Sequence, residues 1–163
     1  MATPTYIPLA TTTLASATNS VTFGSIPTGT YRDLIIIMDG DTAASTRPVL
    51  RLNGDTSSSY SGVMMADDTA SAGYSTTSSG TYLDPIPGFG VTGRFSAIWQ
   101  VFDKDATDKH KSILVRLNQH AGAHVHATAG RWASTSPVTS VTLLTNDGDN
   151  YSIGMVMSLY GIH

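Results

Sequence analysis

At 163 residues the chain is long enough to bury one core of ordinary domain size, and 40% hydrophobic residues place it outside the disordered class. A net charge of −3 with no basic run argues against nucleic-acid binding through a positive patch, and the lack of cysteine excludes disulfides and thiolate metal sites. All 12 acidic residues are aspartates, lysine occurs 3 times, and serine and threonine number 42. A chain poor in helix formers and rich in strand and turn formers reads as all-β.

The opening MATPTYIPLATTT has neither a basic start nor an apolar run of signal-peptide length. No stretch reaches the roughly eighteen apolar residues of a membrane-spanning helix. The expectation is a soluble protein, made in the cytoplasm without a signal peptide and with no membrane partner. Pro4 and Pro8 suit an edge or an extended arm, so residues 1–9 are predicted as an N-terminal arm and 10–163 as a single domain. Short strands follow at Thr11–Leu14 and Ser20–Phe23. In Leu34–Met38 both faces are apolar, which predicts a central strand covered on both sides. Val49–Leu52 is another strand, ended by the turn Asn53-Gly54-Asp55.

From 55 to 93 serine, threonine and glycine dominate, which predicts a long loop region with short strands near Gly62–Ala66 and Thr81–Leu83. Its apolar residues Tyr60, Met64, Met65, Tyr74, Tyr82 and Phe89 are candidate contact residues, together with Thr3, Tyr6, Ile7 and Leu9 of the arm. Alternation resumes in Arg94–Phe102, followed by a charged turn holding all three lysines, and in Lys111–Asn118 with Ile113, Val115 and Leu117 on one face. The histidine segment, Val138–Thr145, a turn at Asn146–Asn150 and a last strand complete the chain. In that last strand Ile153, Met155, Met157 and Leu159 are expected to share a face. Eight or more short strands without a helical period predict an antiparallel β-sandwich of jelly-roll type.

The segment HAGAHVHATAGRW places His124 and His126 on one strand face with Thr128, Gly130 and Trp132, and His120 shares their parity. These three histidines are candidate metal ligands, with Asp103, Asp105 and Asp108 as candidate carboxylates. A zinc site needs a third and usually a fourth ligand, and no spacing ties a carboxylate to them. A strand whose histidines pack against neighbours or face a symmetry mate is the favoured reading, with no metal or other cofactor. Asn146–Asn150 clusters oxygens around Gly148 but lacks the glutamate of a calcium loop, so a hairpin turn is expected. No nucleophile elbow or phosphate loop is present. The pairs Asp67-Asp68 and Asp103/Asp105 lie in predicted loops, and Trp99 and Trp132 in strands, where solvation and core packing account for them. No catalytic residue is assigned, and the chain is expected not to be an enzyme.

Three stretches, taken in order, resemble a group of tailed-bacteriophage virion proteins. They are TLASATNSVTFGSIP with the following Tyr31–Leu34, RLNGDTSSSYS, and SLYGI at Ser158–Ile162. The similarity covers both ends and one central turn, and departs from the pattern at Ile153-Gly154-Met155. It implies a non-enzymatic capsid decoration (cement) protein on the capsid exterior, bridging major capsid protein subunits as a homotrimer. The alternative it implies is a tail-fibre, tail-tip or host-glycan-binding module, with a surface glycan as partner. It assigns no role to the histidines.

Overall fold

A computed structural model describes residues 5–68, 71–120 and 124–163, with the backbone alone for strand residues 67, 68 and 71–78. The described residues form strands and turns without a helix. In chain order the strands are β1 (Tyr6–Thr13), β2 (Ser20–Phe23), β3 (Asp33–Thr46), β4 (Pro48–Leu52), β5 (Tyr60–Asp68), β6 (Ser71–Gly80), β7 (Val91–Phe102), β8 (Lys111–Gln119), β9 (His124–Trp132), β10 (Val141–Thr145) and β11 (Val156–Ile162). Two antiparallel sheets result, an eight-stranded one in the order β1-β11-β3-β7-β8-β9-β5-β6 and a three-stranded one in the order β2-β10-β4. The all-β antiparallel sandwich is as the composition foretold. Its sheets are unequal, and the strand order does not establish a jelly roll.

Period-two alternation builds the core. Leu34, Ile36 and Met38 of β3, Trp99 and Val101 of β7, and Ile113 of β8 are fully buried. They meet Phe23, Leu50, Leu52, Val141 and Leu143 of the small sheet in one cluster. Three strands cannot cover eight, and the segment after β6 completes the cover. Leu83 exchanges backbone hydrogen bonds with Leu50 (2.8 and 3.0 Å), which carries it from the small sheet onto the inner face of β5 and β9. There it rests on two glycines. A methyl group at Gly130 would lie 2.5 Å from Leu83 Cδ2, so the absence of a side chain is what lets this segment approach.

Several expectations are corrected. Tyr6, Ile7 and Leu9 do not form an arm; they belong to β1, paired with β11 through Tyr6↔Ile162 and Ile7↔Gly161. Pro8 is tolerated because β1 is an edge strand and the register shifts between Pro8 and Ala10. Thr3 lies outside the described residues. Much of 55–93 is not loop, since β5 and β6 pair along Tyr60–Asp68 and Ser71–Gly80. β11 begins only at Val156, so Ile153 precedes the strand and is exposed, while Met155, Met157 and Leu159 are buried. Finally, β3 is covered on one side only, and Ile37 on its other side is exposed.

The Asn53-Gly54 turn forms as read, with both residues at positive φ (52° and 66°). Behind it the Asp55 carboxylate accepts hydrogen bonds from Ser57 N and Oγ, Ser59 Oγ and Trp132 Nε1 (2.6–2.8 Å). These donors, those of Ser57 first, hold its pKa well below the ordinary carboxylate range. A pKa lowered by folding stabilises the native state above the unfolded value of about 4, and the stabilisation is lost as pH falls through that range. Asp55→Asn is therefore expected to cost about 1–3 kcal/mol at neutral pH, with the difference from wild type shrinking below pH ~4; urea unfolding across pH measures it. Gly130→Ala is expected to cost about 1–3 kcal/mol by overpacking against Leu83, read from the same urea midpoints.

Candidate functional site

The three candidate histidines are not brought together as a group. His124 and His126 do share a face, but it is the inner one: His126 is buried, 5.4 Å from the Phe89 ring and 6.1 Å from the His124 ring between centroids. His120 lies past the end of β8, exposed, with its N–H donating to the Arg94 carbonyl. Among the described residues no three histidine or carboxylate side chains are grouped to hold a metal ion. Of the two expected environments, His126 is found in packing against neighbours, because even-numbered residues of β9 point between the sheets. In the turn after β10, Asp147 accepts from Thr46 Oγ1 and from Asp149 N, which ties the turn to β3. The charged turn after β7 is likewise committed to structure. Asp103 accepts from Lys109 and Arg32, and both hold its pKa down. Lys104, fully buried, donates to Pro27 O and Asp105.

The predicted contact residues divide by strand parity. Tyr60 and Met64 cannot be contact residues: they are inner-face residues of β5 with 1% exposure, and the Tyr60 hydroxyl is engaged with the Leu52 backbone. Leu9 and Phe89 pack against the core, and Tyr82 is half-buried. Tyr74 pairs with Met65 in β6, its side chain beyond the described atoms. Met65 and Tyr6 are exposed on the outer face of the large sheet.

That outer face is the most distinctive surface of the molecule. No described element covers it, yet β3 contributes Ile35 and Ile37, β7 Ile98, β8 Leu114, β9 Val125 and β5 Val63 and Met65. Exposure reaches 66% at Met65, 60% at Val125, 50% at Val63 and 47% at Leu114, a contiguous apolar area of the kind that marks a binding surface. The sequence reading assigned Ile113, Val115 and Leu117 to the core but left the alternate residues Leu114 and Arg116 without a role. The available signal was the doubly apolar β3, whose second face has no layer above it.

Within this face the sheet register carves a trough. β9 lies between β5 and β8, and its outward residues Ala127 and Ala129 are small. The paired rows read Met65–Ala127–Arg116 and Val63–Ala129–Leu114. Long side chains thus stand on both sides of a low floor, on strands whose axes are roughly 10 Å apart. The floor offers no hydrogen bonds, because β9 is paired on both edges. A depression of about 370 Å³ lies here, lined by Met65, Ile98, Gln100, Leu114, Arg116 and Ala129 among others.

Two further depressions of about 280 and 290 Å³ lie beside it on the same face, and all three share Ile98 and Arg116. Arg116 is exposed and, among the described residues, has neither an ion pair nor a hydrogen bond. Other arginines differ: Arg94 is 2.6 Å from Asp39, and Arg47 is 3.2 Å from the buried Asp84, whose pKa is raised chiefly by burial. Among the described residues, the centre of this apolar sheet face thus carries a cation without a partner, and Arg131 farther along β9 is another.

No family model matches the chain, and no curated protein matches it. Among solved structures it is similar to alginate lyase Aly36B in complex with an alginate tetrasaccharide, at 11% identity, 90% coverage of this chain, 78% of that chain and a TM-score of 0.29. It is also similar to Aly36B alone, at 10% identity, 96% and 97% coverage and a TM-score of 0.27. A third is Aly36B with an alginate trisaccharide, at 8% identity, 99% and 100% coverage and a TM-score of 0.29. These neighbours are enzymes and give no support to a virion role. The expectations of a non-enzymatic capsid decoration protein, and of a tail-fibre or glycan-binding alternative, find no support in any comparison and are withdrawn. At such scores the likeness carries no argument about what this chain itself does.

Proposed function

We propose that the chain is a binding protein whose working surface is the uncovered face of the eight-stranded sheet, and that the trough over β9 seats an extended hydrocarbon chain. The observation that carries this reading is the low floor of Ala127 and Ala129 between the walls Val63–Met65 and Leu114–Arg116. The chemistry of the floor selects the occupant. A peptide lying along β9 would find no backbone partner there, since the donors and acceptors of β9 are already engaged, and its own would be desolvated at a cost. Among the described lining residues a sugar would find no aromatic ring to stack against. A hydrocarbon chain needs neither.

The affinity expected from this contact alone is modest. A fully buried methylene contributes about 0.8 kcal/mol, and an open trough covers roughly half of each, so an eight-carbon chain gains about 3 kcal/mol and binds with a Kd in the millimolar range. Methyl-resolved NMR titration with octan-1-ol is the suitable test. The methyl groups of Val63, Met65, Leu114, Ala127 and Ala129 are expected to shift, while those of Val115 and Leu117 beneath them stay in place. Ala129→Phe is expected to fill the trough and abolish these shifts, with a urea midpoint within about 0.5 kcal/mol of wild type because the site is exposed. Octanol shifts that survive Ala129→Phe, or that fall elsewhere, would overturn the reading.

A second reading is favoured by Ile35, Ile37 and Tyr6, which lie beyond the trough and which one hydrocarbon chain would not cover. In that case the face buries against another copy of the chain. Sedimentation then gives dimers or larger species that Leu114→Asp dissociates into monomers, and octanol leaves the trough methyls unmoved.

A further inference from the structure

We infer that the ligand of this trough is an acid: a linear aliphatic carboxylate whose head group is held by Arg116. The inference rests on the hydrocarbon reading above and adds the chemistry of the head. Arg116 stands on the trough wall directly across from Ala127, on the β8 row that pairs with Ile98. Its surroundings on the sheet are aliphatic: Ile98 on one side, Ala127 on the other, and Leu114 two residues away on the same strand. Among the described residues no aspartate is paired with it, as with Arg51 and Arg131, whereas Arg32, Arg47 and Arg94 each have a carboxylate partner. A guanidinium in such a place has its donors directed outward and unused by the fold. Its planar fork matches a carboxylate in two parallel hydrogen bonds.

Gln100 adds a second polar group to the same depression. It pairs across the sheet with Leu114, so it lies diagonally next to Arg116 and offers an amide to the head group. The rest of the lining is Met65, Ile98, Leu114, Ala127 and Ala129, which suits an unbranched tail. Because Arg116 borders all three depressions, the acid stays in one place whichever of them the tail occupies. Arg131, four residues beyond Ala127 on β9, is the other cation near the trough, roughly 13 Å along the strand. It is far enough away for the two arginines to be tested separately.

The experiment compares octanoate with octan-1-ol on the full chain at low salt, using the same trough methyl resonances. Octanoate is expected to bind about tenfold or more tightly than octanol, the ratio expected for a charge-assisted hydrogen-bonded pair. Arg116→Gln is expected to bring the two ligands to equal affinity, whatever the loss of its wall contact does to both. Arg116→Lys is expected to keep part of the preference, and Arg131→Gln all of it. Equal affinity of octanoate and octanol for the wild-type chain, with both moving the trough methyls, overturns the acid assignment and leaves the hydrocarbon reading standing. Loss of the preference in Arg131→Gln and its retention in Arg116→Gln also overturns the assignment. Failure of both ligands to move the trough methyls overturns both readings, as does binding seen only with vesicles of an anionic phospholipid and never with the free acid.

Discussion

The structure depends on a difference in width between its two sheets. Eight strands present an inner face that three strands cannot cover, so the chain after β6 must return across the gap. It does so through the Leu50–Leu83 bridge, over glycines that leave room for Leu83. Burial of the inner face thereby occupies the small sheet and this returning segment. Among the described residues nothing shields the outer face, and the aliphatic residues of β3, β5, β7, β8 and β9 stay in contact with solvent. The candidate site is thus a direct product of the architecture.

Much of the fold was legible in the residues, because alternation is a local signal. Trp99 and Trp132 fall in the core as their neighbours implied, and Ile113, Val115 and Leu117 share the inner face. The Asn53-Gly54 turn needed only its two residues to be recognised. Where the reading failed, the deciding contact was distant in sequence. Tyr6 and Ile7 looked like a free arm because their partners, Ile162 and Gly161, lie at the other end of the chain. Ile153 has the right parity for the last strand, yet the strand starts after it.

The site was harder to read, for a specific physical reason. An apolar residue on both faces of a strand is ordinarily a mark of two covering layers, and Ile35 and Ile37 were assigned to burial on that ground. Local sequence states how apolar a face is and says nothing of what lies opposite. Arg116 was visible as the interruption of SILVRLN, but its isolation from every aspartate depends on pairings among five strands. The histidines, which draw attention in the sequence, turn inward because of their even numbering on β9.

The walls and floor of the trough belong to three adjacent strands of one hydrogen-bonded sheet, so its cross-section is set by a rigid lattice. The strand spacing fixes how far apart the two walls stand, while the exposed side chains of Met65, Leu114 and Arg116 that form their crests keep rotamer freedom. The groove is thus stiff at its base and pliant at its rim, so that girth is judged at the floor and bulk is tolerated above it.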